Sequence, residues 1–135
     1  MTHVLKIFFL VSLFSLFVKC GTNKPTNKIS LDISLIDSII IMRDQPINHT
    51  VVHSPRQLSP FEIEKLCLDW NSCKSGELRK YTPLVDLTVY QKDKTVRHFR
   101  ANGGDIKEDN DYSYTLGNDN YFYNLYNGLE PLDKE

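Results

Sequence analysis

The sequence has no run of like charges, and its 16 basic and 17 acidic side chains nearly cancel to a formal charge of −1. Nucleic-acid binding needs a basic face to neutralise phosphates, so nothing here supports that partner. Absent as well are G-x-S-x-G, H-E-x-x-H and the Gly-rich phosphate loop, the spacings that expose a nucleophile, pair two zinc ligands or cradle a phosphate. The chain is therefore expected to be non-catalytic, without cofactor and without metal. Cysteine is scarce: there are three in 135 residues, never as C-x-x-C, which argues against a redox pair. No apolar stretch reaches the ~20 residues a helix needs to cross a bilayer. What remains, 41% hydrophobic and 24% charged with six Gly and six Pro, is an ordinary globular composition that implies one domain.

The N-terminus carries an address. His3 and Lys6 precede an apolar stretch from Ile7 to Val18, interrupted only by Ser12 and Ser15 and without an acidic residue, which is the layout of a secretory signal. The stretch ends at Phe17-Val18-Lys19-Cys20, and here the segment resembles the signal peptide of a bacterial lipoprotein, although Phe17 and Lys19 replace that box's usual Leu and small residue. The resemblance implies cleavage after residue 19, acyl chains such as palmitate on Cys20, and a cell-envelope location with the chain tied to a membrane. The alternative is an ordinary secreted or periplasmic protein cut near Cys20 or Gly21. Removing residues 1–19 takes two basic and no acidic side chains, leaving a mildly acidic remainder. Residues 20–28 then form the lipidated Cys and a polar tether, and residues 29–135 a single domain. Gly21 to Lys28 fully extended reaches at most ~26 Å.

The domain reads as α+β. Ile29, Leu31, Ile33 and Leu35 alternate with polar residues before Ile39-Ile40-Ile41-Met42, a strand signal; Asp37 and Ser38 either divide it into two strands, bulge one, or follow an irregular lead-in. Gln45 to Pro60 holds three Pro and is expected to be mostly loop, with a short strand around Thr50 to His53. Ser59-Pro60-Phe61-Glu62 is a capping box with Pro at the first helical position, and Ile63, Leu66, Cys67 and Trp70 form one apolar stripe behind it. Gly76 is a natural stop if the helix runs that far. Leu84 to Tyr90 and Thr95 to Arg100, joined by Gln91-Lys92-Asp93-Lys94, predict a hairpin with Val85, Leu87, Val89 and Phe99 inward. After a turn at Asn102 to Asp105, Tyr112 to Leu116 is the expected third strand of this meander. Asn118 or Asp119 then caps a short helix burying Phe122, Leu125, Tyr126 and Leu129. The architecture expected is a small antiparallel sheet, N-terminal strand or strands plus a three-stranded meander, with one main helix and a short C-terminal helix packed on one face.

Candidate sites are few. Cys67 and Cys73 are a possible disulfide only if the helix breaks near Asn71, because six helical residues rise ~9 Å while the bond needs Cα atoms within ~7 Å; otherwise both thiols stay free. His49 and His53 share no helix and are expected to be solvated. Asp109-Asn110-Asp111 imitates the opening of a calcium loop but lacks its later ligands, so Asp105, Glu108, Asp109 and Asp111 read as an acidic hairpin loop. Asn48-His49-Thr50 satisfies a glycosylation sequon, of no consequence in a bacterium. Arg97 and Arg100, with Lys92 and Lys94, form a basic edge. Five Tyr crowd residues 112–126, and Tyr suits interfaces; Tyr121 and Tyr123 are expected at the rim. Tyr121, Tyr123, Arg97 and Arg100 are thus the expected surface for a protein partner, and the chain is expected to be an inhibitor, an immunity-type partner or an accessory subunit. The alternative is a small-ligand carrier or sensor with an apolar pocket between sheet and helix.

Overall fold

The computed structural model describes residues 28–47, 50–109 and 112–129. The segment read as a signal, Cys20, the expected tether before Lys28, His49 and the sequon's Asn48 lie outside the described residues, as do Asn110 and Asp111 of the calcium-like stretch.

The domain is a six-stranded antiparallel sheet of order β2-β1-β3-β4-β5-β6, with strands β1 (Ile36–Ile47), β2 (Thr50–Gln57), β3 (Val85–Gln91), β4 (Val96–Asn102), β5 (Asp105–Glu108) and β6 (Tyr114–Thr115) and helices α1 (Pro60–Ser72) and α2 (Tyr121–Tyr126). The expected α+β architecture is the one found. Period two buries Ile39 and Ile41 of β1, Val85, Leu87 and Val89 of β3, Phe99 and Ala101 of β4 and Ile106 of β5 on one face. Against this face α1 packs its stripe Ile63, Leu66, Cys67 and Trp70 and α2 its Tyr121, Phe122 and Leu125. Trp70 is the centre, meeting Phe99 at 5.2 Å and 84° and Tyr114 at 5.0 Å and 68°, the edge-to-face geometry aromatic rings favour.

The start of α1 follows its capping box. The Ser59 Oγ accepts from Glu62 N–H and the Glu62 carboxylate accepts from Ser59 N–H, while Leu58 and Ile63 are both buried as a staple. The helix ends at Ser72, with Cys73 N–H reaching Trp70 O. Gly76 therefore does not stop it; a Cβ there would lie 2.8 Å from Tyr112 Cβ, so this glycine permits close packing instead.

Four expectations are corrected. Residues 45–57 are not mostly loop but the paired arms of a long β1–β2 hairpin. Its prolines are tolerated for a geometric reason. Leu58 N–H donates to Ile39 O, which by alternation makes Arg56 and Ser54 the residues hydrogen-bonded to β1 and turns the Pro55 nitrogen to the free edge. Pro46 likewise turns away from β2, beyond Arg43, where β1 last pairs with β3. Secondly, the alternation of Ile29 to Leu35 is not a strand but the irregular lead-in that was one of the alternatives: an extended strap followed by a 3-10 turn, Ile33–Leu35, capped by the Asp32 carboxylate, after which a single strand begins with the bulge at Asp37, a register shift between Ile36 and Ser38. Thirdly, the meander's third strand is Asp105–Glu108, and Tyr114–Thr115 is a fourth, two-residue strand. The Gly103-Gly104 turn reverses the chain at once, Gly103 at φ +61° and Gly104 so close to Gly117 O that a Cβ would stand 2.2 Å from it. Finally, the sequence around Asn118 caps only loosely: Asn120 precedes α2 without a side-chain cap. Gly128 at φ +69° then turns Leu129 out of the core, 54% exposed.

Candidate interaction surface

Both helices cover the same face of the sheet, and among the described residues nothing covers the other, so it is bare here. Its centre is a row across three strands in which Ser38 pairs with Tyr90 and Tyr90 with Val96. Tyr90 and Val96 are each 42% exposed, and Ile40 and Met42 of β1 lie half-buried on the same side. The β1 register shift raises Asp37 and Ser38 on one side, and the β3–β4 turn raises Lys94, at φ +73°, on the other. Between them runs an open groove of about 430 Å³ floored by Ile40, Tyr90 and Val96 and walled by Asp37, Ser38 and Lys94. Further along the face come register pairs Thr88 with His98 and Asp86 with Arg100, then Lys107 opposite Arg100. Lys107 Nζ stands 5.2 Å over the Tyr81 ring, whose hydroxyl donates to Arg100 O. The surface is an apolar centre with a basic flank.

The residues expected to form a partner surface do not come together. Arg100 is exposed on this bare face, but Arg97 is buried on the opposite one, 8% exposed. Its guanidinium grips both Glu108 oxygens at 2.7 and 2.8 Å and donates to Ile29 O and Ser30 O. The cue was available: period two puts Arg97 on the side of Phe99. Tyr121 is fully buried, its hydroxyl donating to Asp69 Oδ2 at 2.5 Å, because α2 begins at this residue and its first turn faces the sheet. Tyr123 is half exposed, as expected, under Arg43 at 5.2 Å, and lines a smaller cavity of about 200 Å³ with Arg43, Asp119 and Phe122. Tyr114 is core, so the Tyr cluster is largely packing. Tyr90 and Val96 were missed as a pair; an aromatic on the polar phase of an alternating strand was the signal.

Cys67 and Cys73 are free: α1 runs unbroken from Cys67 to Ser72 and ends only at Cys73, its C-cap. Burial, with the Asp32 charge adding to it, pushes the Cys67 thiol up to about 11, which leaves it a protonated core side chain. Cys73 Sγ donates to Thr115 O at 3.3 Å. The expected acidic loop is also resolved into partners: Asp105 meets Arg79 at 2.9 Å and Glu108 meets Arg97. Among the described residues no three His, Cys, Asp or Glu side chains are placed to hold a metal ion. The space between the sheet and α1, where a ligand carrier would have its pocket, is filled by Trp70, Phe99 and Tyr114. No protein-family model, curated protein or solved structure matches the chain.

Proposed function

We propose that this chain is a small envelope protein, lipid-anchored through Cys20, whose domain binds another protein without catalysis, as an inhibitor, an immunity-type partner or an accessory subunit. The observation that carries the binding site is the bare sheet face with Tyr90 paired to Val96 at its centre. A sheet face with an aromatic and aliphatic centre and charged surroundings has the anatomy of a protein contact, in which a few large side chains are desolvated inside a polar rim. Arg100, His98 and Lys107 on its flank favour a partner with carboxylates beside its apolar segment. The carrier reading has the groove's volume in its favour, since ligand sites run from ~300 Å³. Its openness counts against it, because a small ligand there would keep much of its surface in water.

A photo-crosslinking side chain placed at Val96 in the intact anchored protein tests the proposal in whole envelopes, with the same group at exposed Leu78 as control. The expected outcome is one saturable protein adduct from position 96, competed by excess uncrosslinkable protein, abolished by Tyr90→Asp and absent from position 78. No discrete adduct from position 96 sinks the binding-face reading.

A further inference from the structure

We propose that the outer face of α1 lies on the membrane to which Cys20 ties the chain; this deepens the anchored reading above and rests on it. An amphipathic helix of a small domain normally carries one apolar stripe, and α1 carries two. Opposite Ile63, Leu66, Cys67 and Trp70 stand Phe61 and Leu68, 65% and 64% exposed, seven residues and so two turns apart on one side. Lys65 lies between them, its charge met by Asp69 at 3.2 Å. Among the described residues nothing covers this stripe.

The occupant is argued from where the chain leaves. Lys28 to Leu31 form a strap fastened beside the last turn of α1. Asn71 holds both the N–H and the carbonyl of Leu31 at 2.8 Å, Trp70 Nε1 and Arg97 both donate to Ile29 O, and Lys28 Nζ lies over the Trp70 and Tyr114 rings at 4.8 and 4.7 Å and donates to Trp70 O. The tether therefore starts on the helix side of the sheet, and Gly21 to Lys28 spans at most ~26 Å against a helix ~20 Å long. Within that leash the surface that meets the bilayer most directly is the α1 side, whereas the bare sheet face lies across the thickness of the domain. Ile29, at the root of the tether, is itself 69% exposed. Three exposed apolar side chains beside a lipid-bound tether suit the headgroup and acyl boundary, where interfacial helices bury their apolar faces. The sheet face then points away from the bilayer, toward a partner.

The test uses the intact, Cys20-anchored chain in phosphatidylethanolamine and phosphatidylglycerol vesicles with brominated acyl chains. Phe61→Trp is compared with Tyr90→Trp, the native Trp70, 1% exposed, giving the same background in both. Phe61→Trp emission is expected to be quenched about threefold more than Tyr90→Trp, as for a side chain seated at the acyl boundary. Co-sedimentation of the intact chain, with Cys20→Ser lost to the supernatant, upholds the anchor, and equal quenching in that same chain overturns the docking alone. A blue-shifted Phe61→Trp emission that bromine leaves unquenched places a second copy of the chain on α1 and also overturns it. An intact chain that never co-sediments with vesicles overturns both readings.

Discussion

Arg97 binds four acceptors from a position where a small domain normally places an aliphatic side chain. Its guanidinium meets Glu108 with two bonds, closes the carbonyls of Ile29 and Ser30, and lies 5.2 Å from the Phe99 ring. Breaking a buried ion pair from one side is expensive because the remaining carboxylate is left without its partner. Arg97→Met is accordingly expected to lower stability by roughly 3 kcal/mol, read by urea unfolding through Trp70 fluorescence, while Arg100→Met on the bare face stays within about 0.5 kcal/mol. Equal effects of the two would refute the clamp. Sequence reasoning placed both arginines on one charged edge. The strand's period separates them, and Glu108, eleven residues on across a two-glycine turn, is what makes the inward position tenable; that partner on the next strand has no local signature.

At the scale of the element, the first turn of α1 ties three parts of the chain together. Glu62 closes the capping box and accepts from Arg56 Nη1 and Nη2 at 3.1 and 2.7 Å, while Arg56 Nε donates to Tyr126 O at 2.8 Å and Nη2 to Leu125 O. The Arg56 guanidinium thus joins β2, α1 and the end of α2, and it holds the Glu62 carboxyl below its ordinary 4.5. A carboxyl depressed by folding stabilises the protein above its unfolded value, and the gain is lost as pH falls through the lower folded value. Glu62→Gln is expected to lower stability at pH 7 by about 1–2 kcal/mol and to flatten the loss of stability below pH 4.5, measured as urea midpoints at pH 7 and at acid pH. An unchanged acid slope would count against this network. The helix boundary was legible because a capping box is local chemistry, as was the β3–β4 hairpin, whose turn residues and inward Val85, Leu87 and Val89 are adjacent in sequence. The β1–β2 hairpin was not, since Pro46 and Pro55 break a strand only if their missing N–H would have had a partner, and that depends on which strands lie beside them.

For the molecule as a whole, the two edges of the sheet decide which surface the proposed partner could use. β6 is two residues long, and beyond it the isolated pairing of Ser113 with Glu77 draws the loop after α1 along that side. β2 is eight residues long and open, the arrangement that invites pairing with another chain. Pro55 stands in its middle with its nitrogen toward the free edge, so an incoming strand would meet a ring where it needs a donor. Strand addition is thereby disfavoured at both ends, which leaves the bare face as the surface for the proposed protein partner. Pro55→Thr restores an edge N–H without touching a bond to β1. It is expected to leave unfolding stability within about 1 kcal/mol while shifting the Cys20→Ser chain, which cannot carry the proposed lipid, from monomer toward dimer or larger species as concentration rises, by analytical ultracentrifugation. Tyr90 and Val96 stay in place throughout, so the crosslink from position 96 should persist in the variant. A variant that remains monomeric at every concentration at which the wild type does would show that the proline guards nothing, and a partner strand on β2 would then compete with the sheet face as the site of binding.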